Sequence, residues 1–85
     1  MRKEYFIKTS MITSLERYRD RLRYIYEIEI ENLTQNELDN VCNKLNDIDY
    51  IYENLHCKGR SYCATWDIIE KIKAIDNYMN VVCPL

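Results

Sequence analysis

The sequence predicts an α+β fold in which a small antiparallel sheet carries helices on one face. Three observations predict it: amphipathic helical stripes, short segments rich in tyrosine and isoleucine between them, and very few residues that break regular structure. The only glycine is Gly59 and the only proline is Pro84, so most residues should lie in helices or strands. The composition, 47% hydrophobic and 31% charged, is typical of a globular protein. We expect residues 1–85 to form one small domain.

The N-terminal third allows two interpretations. Glu4 to Thr9 is predicted to be a strand, and the capping-box match Thr13-Ser14-Leu15-Glu16 predicts that a short helix follows. The arginines at positions 17, 19, 21 and 23, however, alternate with other side chains in the period of a strand. A single long strand over 17–31 is therefore the competing interpretation.

The segment from Tyr24 to Glu31 shows the clearest pattern in the chain. In an extended conformation one face would carry Tyr24, Tyr26, Ile28 and Ile30, and the other would carry Glu27, Glu29 and Glu31. This period of two predicts a half-buried strand with a solvent-facing row of carboxylates.

Beyond residue 32, helices and strands are predicted to alternate. Thr34-Gln35-Asn36-Glu37 has the form of a capping box, which predicts a helix over about 35–47. Segments 49–57 and 61–65 are predicted strands joined by a turn at Gly59. A stripe of isoleucines predicts a helix over about 66–78, and residues 81–83 are predicted to form a short terminal strand. Counted from residue 24, this order is the ferredoxin-like βαββαβ pattern, extended at its N-terminus by a strand and a helix.

Charge is segregated along the chain, although the net charge is only −2. Residues 1–26 carry a net charge of +4, residues 27–56 carry −7, and residues 57–85 carry +1. Charge runs of this kind are typical of solvated faces on separate elements. They also fit a dipolar surface that steers a charged partner towards the protein.

Two charged surfaces are the candidate binding sites. The predicted acidic face comprises Glu27, Glu29, Glu31, Asp47, Asp49 and Glu53. The predicted basic segment comprises Arg17, Arg19, Arg21 and Arg23. The carboxylates could contact a protein surface that normally binds phosphates, whereas the arginines could neutralise a nucleic-acid backbone.

The four cysteines and the single histidine are weak candidates for chemistry. Cys57 and Cys63 have C-x5-C spacing, and the neighbours His56 and Cys57 would point to opposite faces of a strand. We expect free, mostly buried thiols, and a zinc-stabilised domain is the third hypothesis. Phosphate-binding loops and dinucleotide fingerprints need several glycines, so we expect neither an enzyme active site nor a cofactor.

The remaining features concern location and partners. The chain has no apolar run of the roughly 18 residues that span a bilayer and no signal-peptide pattern, so we expect a cytoplasmic protein without a membrane partner. Ile, Asn, Tyr and Lys supply 33 residues, whereas Ala, Gly and Pro supply four. This bias indicates an AT-rich source genome, such as that of a phage, another virus or a low-GC bacterium.

Together these features predict a small non-enzymatic protein that occludes or mimics a nucleic-acid surface on a larger protein partner, as an anti-CRISPR-like inhibitor would. A nucleic-acid-binding module that uses the basic segment is the alternative. A homodimer is compatible with either hypothesis.

Overall fold

The computed structural model describes residues 3–82, and this part of the chain contains three helices and three strands. In chain order they are β1 (Glu4–Ile7), α1 (Thr9–Ile28), α2 (Gln35–Glu53), β2 (His56–Lys58), β3 (Ser61–Thr65) and α3 (Trp66–Asn77). A 3₁₀ turn (Ile30–Asn32) joins α1 to α2, and a π-helical turn (Tyr78–Val82) follows α3. The predicted α+β class with an antiparallel sheet is confirmed.

The sheet has the strand order β1-β3-β2, so β3 is the central strand. Both pairings are antiparallel: Phe6 of β1 lies opposite Cys63 of β3, and His56 of β2 lies opposite the same cysteine. The hairpin between β2 and β3 is the one that the sequence predicts. Its turn contains Gly59 with a φ of 65°, a left-handed conformation that glycine adopts without strain.

The two faces of the sheet have different surroundings. Directly opposed residues of antiparallel strands point to the same side, and Ile7, Tyr62 and Ala64 point into the hydrophobic core. The opposite side, which we call the open face, carries Glu4, Phe6, His56, Lys58, Ser61, Cys63 and Thr65. The helices therefore pack against one face only.

A long apolar stripe on α1 forms the centre of the core. Its buried residues recur at intervals of three and four and are Ile12, Leu15, Tyr18, Leu22 and Ile25. The same cluster includes Val41, Ile48 and Ile51 of α2 and Ile68, Ile72 and Ile75 of α3. Tyr18 also donates its hydroxyl to Asp76, which connects α1 to α3 and raises the pKa of the phenol.

The helices α1 and α2 form a long antiparallel hairpin, because only a short turn separates two helices that pack together. Both helices are joined to the sheet at the opposite end, through β1 and β2. The molecule is accordingly elongated, with dimensions of 44 × 22 × 21 Å. The turn between the helices therefore lies far from the sheet.

The predicted strand over 24–31 is wrong, as is the longer strand over 17–31, and the ferredoxin-like order is not confirmed. α1 continues through this segment to Ile28, which is 63% exposed, while Ile25 continues the buried stripe and is 4% exposed. A helix satisfies its own backbone hydrogen bonds. A strand at this distance from the sheet would have no neighbour to pair with.

The predicted capping box at the start of α2 is confirmed. The Thr34 hydroxyl accepts a hydrogen bond from the Glu37 amide at 3.2 Å, and the Glu37 carboxylate accepts one from the Thr34 amide at 3.2 Å. The helix is longer than predicted, however, and ends at Glu53. Ile48 and Ile51 continue its buried stripe. The predicted strand over 49–57 is therefore wrong for residues 49–53, which are helical, and the observed strand is His56–Lys58.

The N-terminal strand is confirmed but ends at Ile7, and α1 begins at Thr9. The predicted capping box at Thr13 is therefore wrong, because this residue lies inside the helix. Its hydroxyl donates a hydrogen bond to the Thr9 carbonyl at 3.2 Å, four residues earlier.

The C-terminal helix is confirmed as α3, which ends at Asn77. The predicted terminal strand is wrong for residues 81 and 82, because the π-helical turn includes both. Cys83, the last residue of that predicted strand, lies outside the described residues.

Substitutions of Ile25 and Ile28 distinguish the helix from the predicted strand. The helix buries Ile25 and exposes Ile28, whereas the strand would bury Ile28. We expect Ile25→Ala to lower the free energy of unfolding by about 2–4 kcal/mol, as for other buried aliphatic truncations. Ile28→Ala should change it by less than about 0.5 kcal/mol. Urea unfolding followed by circular dichroism measures both values, and the reverse order of effects would contradict the helical assignment.

Candidate functional site

The turn between α1 and α2 concentrates negative charge at one end of the molecule. We define the hairpin tip as residues 24–40, which comprise the last residues of α1, the 3₁₀ turn and the start of α2. Its acidic residues are Glu27, Glu29, Glu31, Glu37 and Asp39, and it contains no Lys, Arg or His. The hairpin tip therefore has a formal charge of −5.

The first three of these glutamates have no cationic partner among the described residues. No Lys, Arg or His nitrogen within residues 3–82 lies in ion-pair distance of Glu27, Glu29 or Glu31. Glu27 and Glu31 are exposed, whereas Glu29 is half-buried where α1 ends and lines a cleft of about 190 Å³ between the two helices. Two carboxylates thus point into solvent without internal neutralisation.

The same tip exposes large apolar side chains. Ile28 is the most exposed of them, Tyr24 is 49% exposed, and Tyr26 and Ile30 are also exposed. The α1 stripe requires this, because a helix that turns Leu22 and Ile25 towards the core turns Tyr24 and Ile28 away from it. Exposed aromatic and aliphatic groups beside uncompensated charge are typical of a protein-binding surface.

The other three residues of the predicted acidic face lie elsewhere. Asp47 faces α3, where its carboxylate is 3.7 Å from the ammonium group of Lys71. Asp49 and Glu53 are exposed near the sheet end of α2. Fourteen residues of helix separate Asp49 from the start of α2, a distance of about 21 Å. The structure thus divides the predicted acidic face into two separate groups.

The structure also divides the predicted basic segment. With 3.6 residues per turn, Arg17 and Arg21 lie on one side of α1, and Arg19 and Arg23 lie on nearly the opposite side. Arg19 stacks on the ring of Tyr52, with its guanidinium carbon 5.1 Å from the ring centre. The four arginines therefore form no continuous basic stripe on the helix.

Arg21 and Arg23 also differ in their exposure. The guanidinium carbon of Arg21 lies 5.7 Å from the ring centre of Tyr24, and its side chain is half-buried. Arg17 and Arg23 are exposed. Only these two of the four arginines are free to contact a nucleic-acid backbone without rearrangement.

A second group of polar residues lies on the open face of the sheet. The Glu4 carboxylate on β1 accepts hydrogen bonds from His56 and Lys58 on β2, and its distance to the Lys58 ammonium is 3.2 Å. The Cys63 thiol on β3 donates to the same carboxylate at 3.4 Å. These partners, His56 first, hold the pKa of Glu4 below its ordinary value. Glu4 thereby links all three strands across the open face.

The chemistry of this group does not favour nucleophilic catalysis. Burial first, and then the Glu4 carboxylate, raises the pKa of the Cys63 thiol. A nucleophilic cysteine instead requires a lowered pKa, because the thiolate is the reactive form. Cys63 is therefore held as a neutral thiol in this site.

The residues of the zinc hypothesis do not converge. His56 and Cys63 share the open face, but Cys57 lies opposite Tyr62 and points to the other side of the sheet. Its thiol donates to the carbonyl of Gly59 at 3.3 Å. Within residues 3–82, no three His, Cys, Asp or Glu side chains are arranged to hold a metal ion. Cys42, Cys57 and Cys63 are free thiols, of which only Cys63 is buried.

Two exposed aromatic residues have no counterpart among the predicted site residues. Phe6 on the open face is 77% exposed, and Trp66 at the start of α3 is 46% exposed. The sequence did contain a signal for Phe6. Side chains alternate between the two faces of a strand, so Phe6 lies on the face of β1 away from that of Tyr5 and Ile7. No local pattern marks Trp66, since the first residue of a helix can point to either side.

Glu4→Gln should destabilise the protein at neutral pH, because it removes the charge that His56 and Lys58 contact. The folded-state pKa of Glu4 is lowered, so its contribution is fully present above the ordinary glutamate pKa of about 4.3 and is lost as the pH falls through the folded value. The loss of unfolding free energy in acid should therefore be smaller in the variant.

Glu53→Gln, which changes the same group at an exposed position of α2, is the control. Urea unfolding at a series of pH values measures the effect. Parallel pH profiles for wild type and Glu4→Gln would contradict the assigned role of the carboxylate.

Comparison of the chain with protein-family models, with curated proteins and with solved structures finds no match. None of the helices within residues 3–82 is both long and apolar enough to cross a membrane. Of the surfaces described above, the hairpin tip combines the largest uncompensated charge with exposed apolar side chains. It is the candidate functional site of this chain.

Proposed function

We propose that this chain is a small non-enzymatic interaction protein that uses its hairpin tip to occlude a basic surface on a larger protein. The observation that carries the proposal is the composition of residues 24–40: five carboxylates, no cation and four exposed tyrosine or isoleucine side chains. Charge complementarity would orient the partner, and the apolar side chains would supply the buried centre of the contact.

The partner that best fits this surface is a protein that binds nucleic acid. Such proteins bind phosphates through clustered Lys and Arg, and carboxylates are attracted to the same clusters. A phage-encoded inhibitor of a host defence nuclease, in the manner of an anti-CRISPR protein, would have this character. Because residues 24–28 are helical, the expected contact differs from a row of carboxylates along a strand. Glu27, Glu29 and Glu31 instead lie at the end of a helical hairpin, next in sequence to Ile28 and Ile30.

The shape of the molecule supports an occluding role. α1 extends for 20 residues from the sheet, a length of about 30 Å, and brings the hairpin tip to the end of an elongated molecule. A tip of this kind can enter a groove that a compact sheet surface could not. The core lies between α1, α2 and α3, so the exposed side chains of the tip are available for contact without unfolding.

Site-specific photocrosslinking tests the proposal. A photoreactive amino acid replaces Ile28 in one version of the chain and Tyr50 in another, since both side chains are exposed but Tyr50 lies towards the sheet end of α2. In cells of the source organism, or of its host, we expect position 28 to crosslink to one protein and position 50 not to do so. The double variant Glu27→Gln/Glu31→Gln should lower the crosslinking yield at least tenfold, because it removes two exposed charges.

A matched double variant provides the control. Asp49→Asn/Glu53→Gln removes the same charge from exposed positions of α2 outside the hairpin tip, and its crosslinking yield should equal that of the wild type. Equal crosslinking from positions 28 and 50, or an equal effect of the two double variants, would refute the proposal.

The nucleic-acid-binding alternative makes a different prediction. If the exposed Arg17 and Arg23 bind a phosphate backbone, an electrophoretic shift should appear at low salt and weaken steeply as salt is added. We expect no such shift, because the exposed side of α1 also carries Glu16, Asp20 and Glu27. A shift that Arg17→Ala/Arg23→Ala abolishes would instead establish the alternative.

A further inference from the structure

The outer edge of the sheet at β1 lies at the opposite end of the molecule from the hairpin tip. β1 is an edge strand that pairs with β3 on one side only, and no other described strand lies beside it. Within residues 3–82, the backbone groups that point outward from this strand therefore have no sheet partner. Unpaired strand edges of this kind bind other strands unless the protein protects them.

The side chains around this edge favour association. Phe6, at 77% exposure, is the most exposed large hydrophobic side chain within residues 3–82. Beside it, an apolar cleft of about 250 Å³ lies between β1 and α3, with Met11, Ile69 and Ile72 among its lining residues. The edge therefore combines unpaired backbone groups with apolar surface that a second strand could cover.

The geometry of antiparallel pairing limits the arrangements in which β1 can pair with a copy of itself. Along a strand, the N–H and C=O groups of successive residues point alternately to its two edges. Two residues that face each other across the new edge must therefore both direct these groups towards the partner strand or both direct them away from it. In a pairing of β1 with itself, two facing residues must accordingly both have odd residue numbers or both have even residue numbers. One such register is centred on Phe6, places it opposite the Phe6 of the second copy, and pairs Tyr5 with Ile7.

Charge selects this register among the others. With Phe6 at the centre, Glu4 faces Lys8 of the second copy, and symmetry repeats this arrangement. The dimer thus brings one further cation towards each Glu4 carboxylate, which His56 and Lys58 of its own copy already bind. Lys8 has an extended backbone, with φ −65° and ψ 141°, and its carbonyl accepts a hydrogen bond from the Met11 amide of α1 at 3.0 Å. Its contribution to the pairing is therefore its exposed side chain. The register centred on Tyr5 would instead place Glu4 opposite Phe6 and lose both charge pairs.

We propose that β1 pairs with β1 of a second copy of this chain, antiparallel and centred on Phe6, to form a two-fold symmetric dimer with a six-stranded sheet. The two Phe6 rings contact each other on the open face, and Lys8 of each copy joins the Glu4 carboxylate of the other. Isologous pairing of this kind closes on itself and leaves no further free edge at β1. Because the strand is only four residues long, the interface is small, and the dissociation constant should lie in the roughly micromolar range.

This inference goes beyond the proposed function, because it uses residues outside the hairpin tip. The dimer would present two tips to its partners, so binding to a partner with two sites would be strengthened by bivalency. Substitutions in the tip should leave the dimer unchanged, and substitutions at β1 should leave the contact of a single tip unchanged. Failure of one proposal is therefore distinguishable from failure of the other.

Sedimentation velocity and light scattering over a range of concentrations measure the association. We expect the mass to rise with concentration from the 10.4 kDa of one chain towards twice that value. Phe6→Ser and Lys8→Glu should each weaken the dimer roughly tenfold or more, because the first removes the central contact and the second places two carboxylates opposite each other at both charge pairs. Arg17→Glu, with the same charge change on the exposed side of α1, is the control and should not weaken it.

A charge exchange tests the register itself. Lys8→Glu and Glu4→Lys should each dimerise poorly when alone, but their equimolar mixture should form a heterodimer in which both charge pairs are restored. The acidic side chain of Lys8→Glu lies beside the N-terminus of α1, where negative charge is favourable, so this variant should fold. If circular dichroism shows that Glu4→Lys is unfolded, the concentration series for Phe6→Ser and Lys8→Glu decides the question.

Three results would overturn the proposal. The first is a wild-type protein that remains monomeric up to near-millimolar concentration. The second is a dimer that neither Phe6→Ser nor Lys8→Glu weakens. The third is a monomer whose β1 edge binds an acidic peptide of another sequence, which would identify the edge as a site for a different partner.

Discussion

The burial of one face of α1 is the constraint on which the rest of the structure depends. A domain of 85 residues has little apolar surface to bury, and a large part of it belongs to the stripe from Ile12 to Ile25. That stripe packs together with the buried residues of both α2 and α3, and Tyr18 adds a hydrogen bond to Asp76. Since the stripe extends along most of α1, burying it requires that the helix continue well beyond the sheet. The exposed tip is a direct consequence of this packing.

The two ends of the elongated molecule carry side chains of different charge and polarity. At one end, five carboxylates accumulate in residues 24–40 without a cation, an arrangement whose mutual repulsion opposes folding and whose charge is available to a partner. At the other end, the open face of the sheet carries Lys58, His56 and Phe6 around a single carboxylate, Glu4. The proposed partner contact and the proposed dimer contact lie at these two ends, so neither would obstruct the other.

The polar groups of the open face link the three strands together. Glu4 is bound by groups from β2 and β3, chiefly His56, and these contacts lower its pKa. The pKa of the Cys63 thiol is raised, first by burial and then by its hydrogen bond to the Glu4 carboxylate. A thiol in this environment is a poor nucleophile. The free Cys57 thiol lies on the other side of the sheet, so it adds no ligand or reactive group to this cluster. This cluster is consequently better suited to holding the three strands together than to nucleophilic chemistry at Cys63.

The sequence by itself determined the elements whose signals are local: the capping box of Thr34 and Glu37, the glycine turn at Gly59, the strand at β3 and the amphipathic helix α3. It also identified the acidic residues of the hairpin tip, although not their arrangement. Only the tertiary structure decided the conformation of residues 24–31 and 49–53, because tyrosine and isoleucine in these segments are compatible with either a strand or a helix. The choice depended on whether a neighbouring strand or a neighbouring helix was present, and α1 and α2 provide each other with an apolar partner along most of their length. A local alternation of residue types carries no information about which element will pack against a segment. For this reason the pattern of residues 24–31 predicted a strand, whereas these residues form the end of α1 and a 3₁₀ turn.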